Sequence, residues 1–210
     1  MKFAKTLLAS AALAASFAAG ATVTGSLGGG TGSFLALSGP AACTVGTPCT
    51  LGGTVATIVG GTTYAIDQQF ADIPSQTFPG TNFLAAGPTA TQPSTLTFAT
   101  PTNYISFLWG SPDLYNTLTV NSTVGAAQTF NVTNLGFLVT NGNQSFSQYV
   151  QFVATAGLIS SLVFSNSPAV DAFEVANFSV VRAVPEPETY ALMLAGLGAL
   201  GFISRRRKRV

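Results

Sequence analysis

Residue types able to do chemistry are scarce in this chain, and they gather in one short stretch. Trp109-Gly110-Ser111-Pro112-Asp113-Leu114-Tyr115-Asn116 places the single tryptophan beside a tyrosine, a carboxylate and a carboxamide. An aromatic face next to short polar acceptors is what a sugar-binding surface uses, the ring stacking on the sugar and the acid or amide bonding its hydroxyls. On that reading Trp109, Asp113, Tyr115 and Asn116 form a glycan-binding patch. The alternative is a turn between two strands, with Asp113 and Asn116 satisfying their own backbone and Trp109 in the core.

The acids allow two further chemistries. Asp113, Asp171 and Glu174 are hard oxygen ligands of the kind Ca²⁺ takes, although acids on a strand edge more commonly face water. Glycoside hydrolysis needs two carboxylates at a set separation, and nothing in the spacing of Asp67, Asp72, Asp113, Asp171 and Glu174 singles out a pair. Histidine is absent, which excludes Ser-His and Cys-His nucleophile activation and His-ligated metal centres. No catalytic residue, metal or cofactor is therefore expected, and the chain does not read as an enzyme.

Cys43 and Cys49 are the two cysteines and stand in a Gly/Pro/Thr-rich turn. A metal site needs two more ligands, and a redox pair is more usually spaced Cys-x-x-Cys. In an exported chain a local disulfide is the expectation. Its small loop limits the stabilisation to about 2 kcal/mol. Asn121, Asn131, Asn143 and Asn177 each fit Asn-x-Ser/Thr, a consequence of the abundance of those residues.

The elements that must position these side chains follow from composition. Of 210 residues 47% are hydrophobic and only 7% charged, against about 25% charged in an ordinary soluble domain. Lys2 and Lys5 open the chain, Arg205, Arg206, Arg207, Lys208 and Arg209 close it, and Arg182 is the one basic residue between them. Residues 22–183 therefore carry Arg182 against five acids, a net charge of −4 where the whole chain is +1. A domain with one basic residue cannot neutralise several phosphates, so nucleic acid is excluded as a partner.

Thr, Ser, Gly, Asn, Phe and Val dominate residues 22–183, a usage that favours strands and turns over helices. Short apolar-alternating runs separated by turn residues recur at 33–37, 54–59, 62–66, 95–99, 104–109, 117–120, 137–139, 149–155, 162–165 and 172–181. Leu96 and Phe98 alternate with Thr95 and Thr97, and Ile105, Phe107 and Trp109 with Tyr104, Ser106 and Leu108. Such period-two patterning over many short strands predicts an all-β, antiparallel two-sheet sandwich, jelly-roll-like in connectivity. About 160 residues can bury a sizeable core. The glycine-rich span 27–32 and the proline-rich span 74–93 are expected to be loose, the second as a long surface loop.

The two ends read as addresses. Lys2 and Lys5, the apolar run from Leu7 to Phe17, and Ala19-Gly20-Ala21 have the three parts of a secretory signal peptide. The small residues Ala19 and Ala21 fit a signal peptidase cutting after 21, downstream of the Sec export machinery. At the other end, Val184-Pro185-Glu186-Pro187-Glu188-Thr189 precedes an apolar stretch from Tyr190 to Ile203 and the basic run 205–209. Pro185 and Pro187 mark the start of a helix. That helix is shorter than the roughly 20 residues a spanning segment ordinarily uses, and its basic end should stay cytoplasmic.

Pro185-Glu186-Pro187, the short Gly/Leu/Ala-rich helix and the Arg/Lys end together resemble the PEP-CTERM sorting domain of Gram-negative bacteria. The resemblance implies an exosortase, a membrane-embedded cysteine protease, that cuts near the Pro-Glu-Pro motif after a transient anchorage in the inner membrane. The expected organisation is a signal peptide at 1–21, a β-sandwich ectodomain at 22–183 and a sorting tail at 184–210. The tail's transmembrane helix falls at 190–203. The expected product is an exported cell-surface or extracellular-matrix protein with a structural or adhesive role in envelope exopolysaccharide or biofilm matrix. The alternative is a carbohydrate-binding module of that matrix.

Overall fold

A computed structural model describes residues 22–30, 34–39, 41–72, 82–87, 89–170, 172–181 and 197. The signal segment with Ala19 and Ala21, the acid Asp171, and the tail with Pro185, Glu186, Pro187 and the basic end lie outside the described residues. Of the apolar stretch 190–203 only Leu197 is described, helical and exposed. Among the described residues no helix is long and apolar enough to cross a membrane.

The described chain is almost entirely strand. In order it forms β1 (Val23–Leu27), β2 (Leu37–Ser38), β3 (Cys49–Leu51), β4 (Ala56–Val59), β5 (Thr62–Tyr64) and β6 (Phe83–Ala86). There follow β7 (Ser94–Thr102), β8 (Tyr104–Gly110), β9 (Asn116–Ser122) and β10 (Gln128–Phe130). A single-turn helix, α1 (Val132–Leu135), then precedes β11 (Ser147–Ala154), β12 (Ile159–Asn166) and β13 (Phe173–Val181). Two antiparallel sheets result, ordered β1-β11-β8-β13-β6-β5 and β10-β9-β12-β7-β4-β3-β2, so the expected two-sheet architecture forms. Consecutive strands alternate between the sheets through β7, β8 and β9 and again through β11, β12 and β13.

Phenylalanines fill the space between the sheets. Phe107 on β8 lies 5.7 Å, centroid to centroid, from Phe164 on β12 of the facing sheet, 5.7 Å from Phe152 and 5.6 Å from Phe178. All four rings are fully buried, and each such side chain contributes about 1.5–3 kcal/mol by leaving water. Leu96 and Phe98 point into this core while Thr97 is exposed, as the alternation requires.

Strand β13 changes parity partway along. Phe173 and Val175 face the core, but so do Phe178 and Val180. The register shows why: Ala176 pairs with Leu108 and Ser179 with Ser106, so three steps on one strand face two on the other. That is a β-bulge, and Asn177 within it takes φ 53°, a left-handed conformation that Asn tolerates better than most residues. Strand β12 is bulged in the same way between Ile159 and Ser161.

Several expectations are corrected. Leu27 is not loose but ends β1, which pairs along its length with β11. Gly28, Gly29 and Gly30 all have positive φ and lie across the outer face of the first sheet. A Cβ on Gly29 would stand 2.6 Å from that of Ser106, so a side chain there would push the segment off β8. This covering explains why Ser106, on the face opposite the core, is also fully buried. Span 74–93 is not a loop throughout, because it contains β6, an interior strand of the sheet. Residues 137–139 form no strand: Gly136 ends α1 in the left-handed region, and Leu138 is 96% exposed.

The register defines two poles. Val23 lies opposite Ala154, Val153 opposite Tyr104, and Tyr104 opposite Val181, at one end of the first sheet. Gly110 lies opposite both Ser147 and Glu174 at the other end.

Candidate functional site

The Gly110 pole holds the residues singled out for chemistry. Strand β8 delivers Trp109 on its core face, and the turn 111–115 brings the chain back into the facing sheet at Asn116. Trp109 is fully buried, stacked on Phe173 at 4.1 Å between centroids and edge-on to Phe137 at 5.3 Å. Its indole Nε1 donates to Asn116 Oδ1 at 3.3 Å. The same oxygen accepts from the Asp113 amide at 2.9 Å, and Asn116 Nδ2 donates to Asn166 Oδ1 at 2.9 Å. Asn166 carries the network onward, Nδ2 to the Ala86 carbonyl of β6 and its amide to Gln92 Oε1.

The carboxylates are likewise engaged. Asp113 accepts from the Tyr115 hydroxyl at 2.6 Å and is buried against Gly142, where a Cβ would meet its Oδ2 at 2.7 Å. Glu174 is buried on β13 and accepts from Ser111 Oγ at 2.8 Å. Ser111 itself has φ 31° and ties the turn to Phe146 through its amide.

Structure thus brings Trp109, Asp113, Tyr115 and Asn116 together, as the sequence suggested. Trp109 and Asn116 show no surface to solvent, so neither can stack on or bond a sugar outside. Trp109, Asp113 and Asn116 are engaged in an internal network that joins β8, β9, β12 and β6, while Tyr115 is half-buried. Buried polar groups persist in proteins when they are hydrogen-bonded, and here they fix one turn to both sheets. Glu174 does not face water as a strand-edge acid would. Ser111 joins the cluster from the turn itself, and Asn166 from 50 residues downstream, the latter without a local sequence signal to announce it.

Elsewhere, Cys43 and Cys49 form the expected disulfide, and both sulfurs are buried. Cys43 is held to the β4–β5 turn by amide–carbonyl bonds with Gly60 and Gly61, so the bridge pins an edge of the second sheet. Among the described residues no group of three or more His, Cys, Asp or Glu is placed to hold a metal ion. Of the Asn-x-Ser/Thr asparagines, Asn177 is buried with Nδ2 on the Tyr149 hydroxyl, and Asn131 caps α1. Asp72, beside Asp67, has its carboxyl held above the usual value by burial first, then by the neighbouring charge and hydrogen bond of Asp67.

Beyond Val181 only three residues precede Pro185. The family model for the PEP-CTERM protein-sorting motif matches residues 183–208. No curated protein and no solved structure matches the chain. The motif implies an exported protein with a transient membrane anchor and an exosortase as its sorting partner.

Proposed function

We propose that the protein is a non-enzymatic structural or adhesive component of the outer envelope or extracellular polysaccharide matrix of a Gram-negative bacterium. It is delivered there when an exosortase cuts near Pro185-Glu186-Pro187 and frees the sandwich from the inner membrane. The sorting motif at 183–208 is the observation that carries this reading. Support comes from an ectodomain of net charge −4 whose buried polar cluster is engaged in internal hydrogen bonds. A matrix protein needs a durable fold more than an accessible reactive group.

Partition of the mature protein between washed matrix and free medium tests the proposal, alongside the stiffness of matrix made by a strain lacking it. The expected results are retention in the washed matrix and a softer matrix of unchanged sugar composition. A protein wholly in the medium, with matrix stiffness unaltered, would contradict it. Turnover of matrix polysaccharide by the purified protein would contradict the non-enzymatic part.

A further inference from the structure

The two ends of the sandwich leave it from one pole. Thr24 and Val181 occupy the same row of the first sheet, on β1 and β13, with β11 and β8 between them, and Val23 is one residue further out. Three strand spacings put Thr24 and Val181 about 14 Å apart. Segments 1–21 and 183–208 therefore both depart from this end of the domain, the opposite end from Trp109, Asp113 and Glu174.

Three turns build the pole, and hydrogen bonds tie them to one another and to the first residue of the ectodomain. The Ala154 amide donates to Asn103 O at 2.9 Å, that of Thr123 to Leu158 O at 2.8 Å, and that of Thr155 to Thr22 O at 2.9 Å. Turns 101–103, 123–127 and 155–158 contain no charged residue. Asp113 and Glu174 sit at the far pole.

Chain length limits what this pole can face. Four residue steps from Val181 reach Pro185, a span of at most about 14 Å, and nine reach Tyr190, at most about 30 Å. The headgroup layer takes about 5–8 Å of that. The poles are separated by strands of seven to nine residues, or about 25 Å. Turning the far pole to the bilayer would use nearly the whole tether to run back along the sandwich. It would also press the pole built on the buried, hydrogen-bonded Asp113 and Glu174 to the lipid.

We infer that the pole formed by the uncharged turns 101–103, 123–127 and 155–158, from which the chain leaves toward Arg182 and the tail, is the surface the ectodomain turns to the anionic bilayer while the tail is uncut. This deepens the sorting reading and rests on it. In this orientation the pole that carries Asp113 and Glu174 faces away from the bilayer.

Energy transfer to a headgroup dye tests the orientation. Full chain from a host without exosortase is given Val124→Cys at the near pole or Leu114→Cys at the far one. Both side chains are largely exposed, 46% and 66%, and the native cysteines are bonded to each other. Each variant is labelled with a donor and mixed with phosphatidylethanolamine–phosphatidylglycerol vesicles carrying an acceptor on their headgroups. Flotation with the vesicles and several-fold stronger transfer from position 124 are expected. Flotation with equal or stronger transfer from position 114 would overturn the orientation and leave the anchor standing. A chain that does not float would overturn both.

Discussion

Trp109 Nε1 and the Asp113 amide share one acceptor, Asn116 Oδ1, at 3.3 and 2.9 Å. Replacing Asn116 by Leu or Ala strands two buried donors and the Nδ2 partner Asn166. Each unsatisfied buried group costs about 1–3 kcal/mol, so Asn116→Ala should lower unfolding free energy by about 3 kcal/mol in a urea titration. The native emission of Trp109 should be that of a buried indole and should not move on adding matrix polysaccharide. A sugar-dependent shift would reinstate the glycan reading.

The β13 bulge makes a separate prediction. Asn177→Val puts a β-branched side chain at φ 53° and removes the bond to the Tyr149 hydroxyl at 2.9 Å. Left-handed backbone costs an ordinary residue about 1–2 kcal/mol, and the lost bond adds about 1 kcal/mol. Asn177→Gly should be milder, since glycine adopts this backbone geometry without strain. Thermal midpoints of the two variants rank the effects.

Reducing the Cys43–Cys49 bridge should cost about 2 kcal/mol, because the loop it closes is short. The effect should be local. Amide exchange should quicken around the turn that Cys43 shares with Gly60 and Gly61, while the core strands β8 and β12 stay protected.

Asp72 gives the pH dependence a sign. Its folded pKa is raised above 3.8 by burial and by Asp67, so folding favours the protonated form. That contribution is fully present below the unfolded value and is lost as pH rises through the raised folded one. The thermal midpoint should therefore fall over that interval, and Asp72→Asn should flatten the fall. An unchanged slope in the variant would assign the dependence to another group.

The sandwich was legible wherever one strand face is core and the other wet, as in β7, where Leu96 and Phe98 alternate with threonine. It was illegible where both faces are covered. Residues 83–86 are all buried, so β6 shows no alternation and its flanking prolines read as loop. Strand β1 was hidden by Gly25, whose absent Cβ makes room for Phe152, Leu135 and Phe130. At the Gly110 pole the grouping of Trp109, Asp113, Tyr115 and Asn116 was legible from spacing alone. Which way those side chains point depends on Phe173 and Asn166, which arrive from strands more than 45 residues away, and no local pattern encodes that.

Use of the sorting motif at 183–208 leaves a mark on the mature chain. Mass spectrometry of the C-terminal peptide of the protein recovered from the cell surface or matrix addresses it directly. A sorted protein should end near Pro187, with the apolar stretch and basic run gone. A surface form that still ends at Val210 would contradict this and make the tail a permanent anchor.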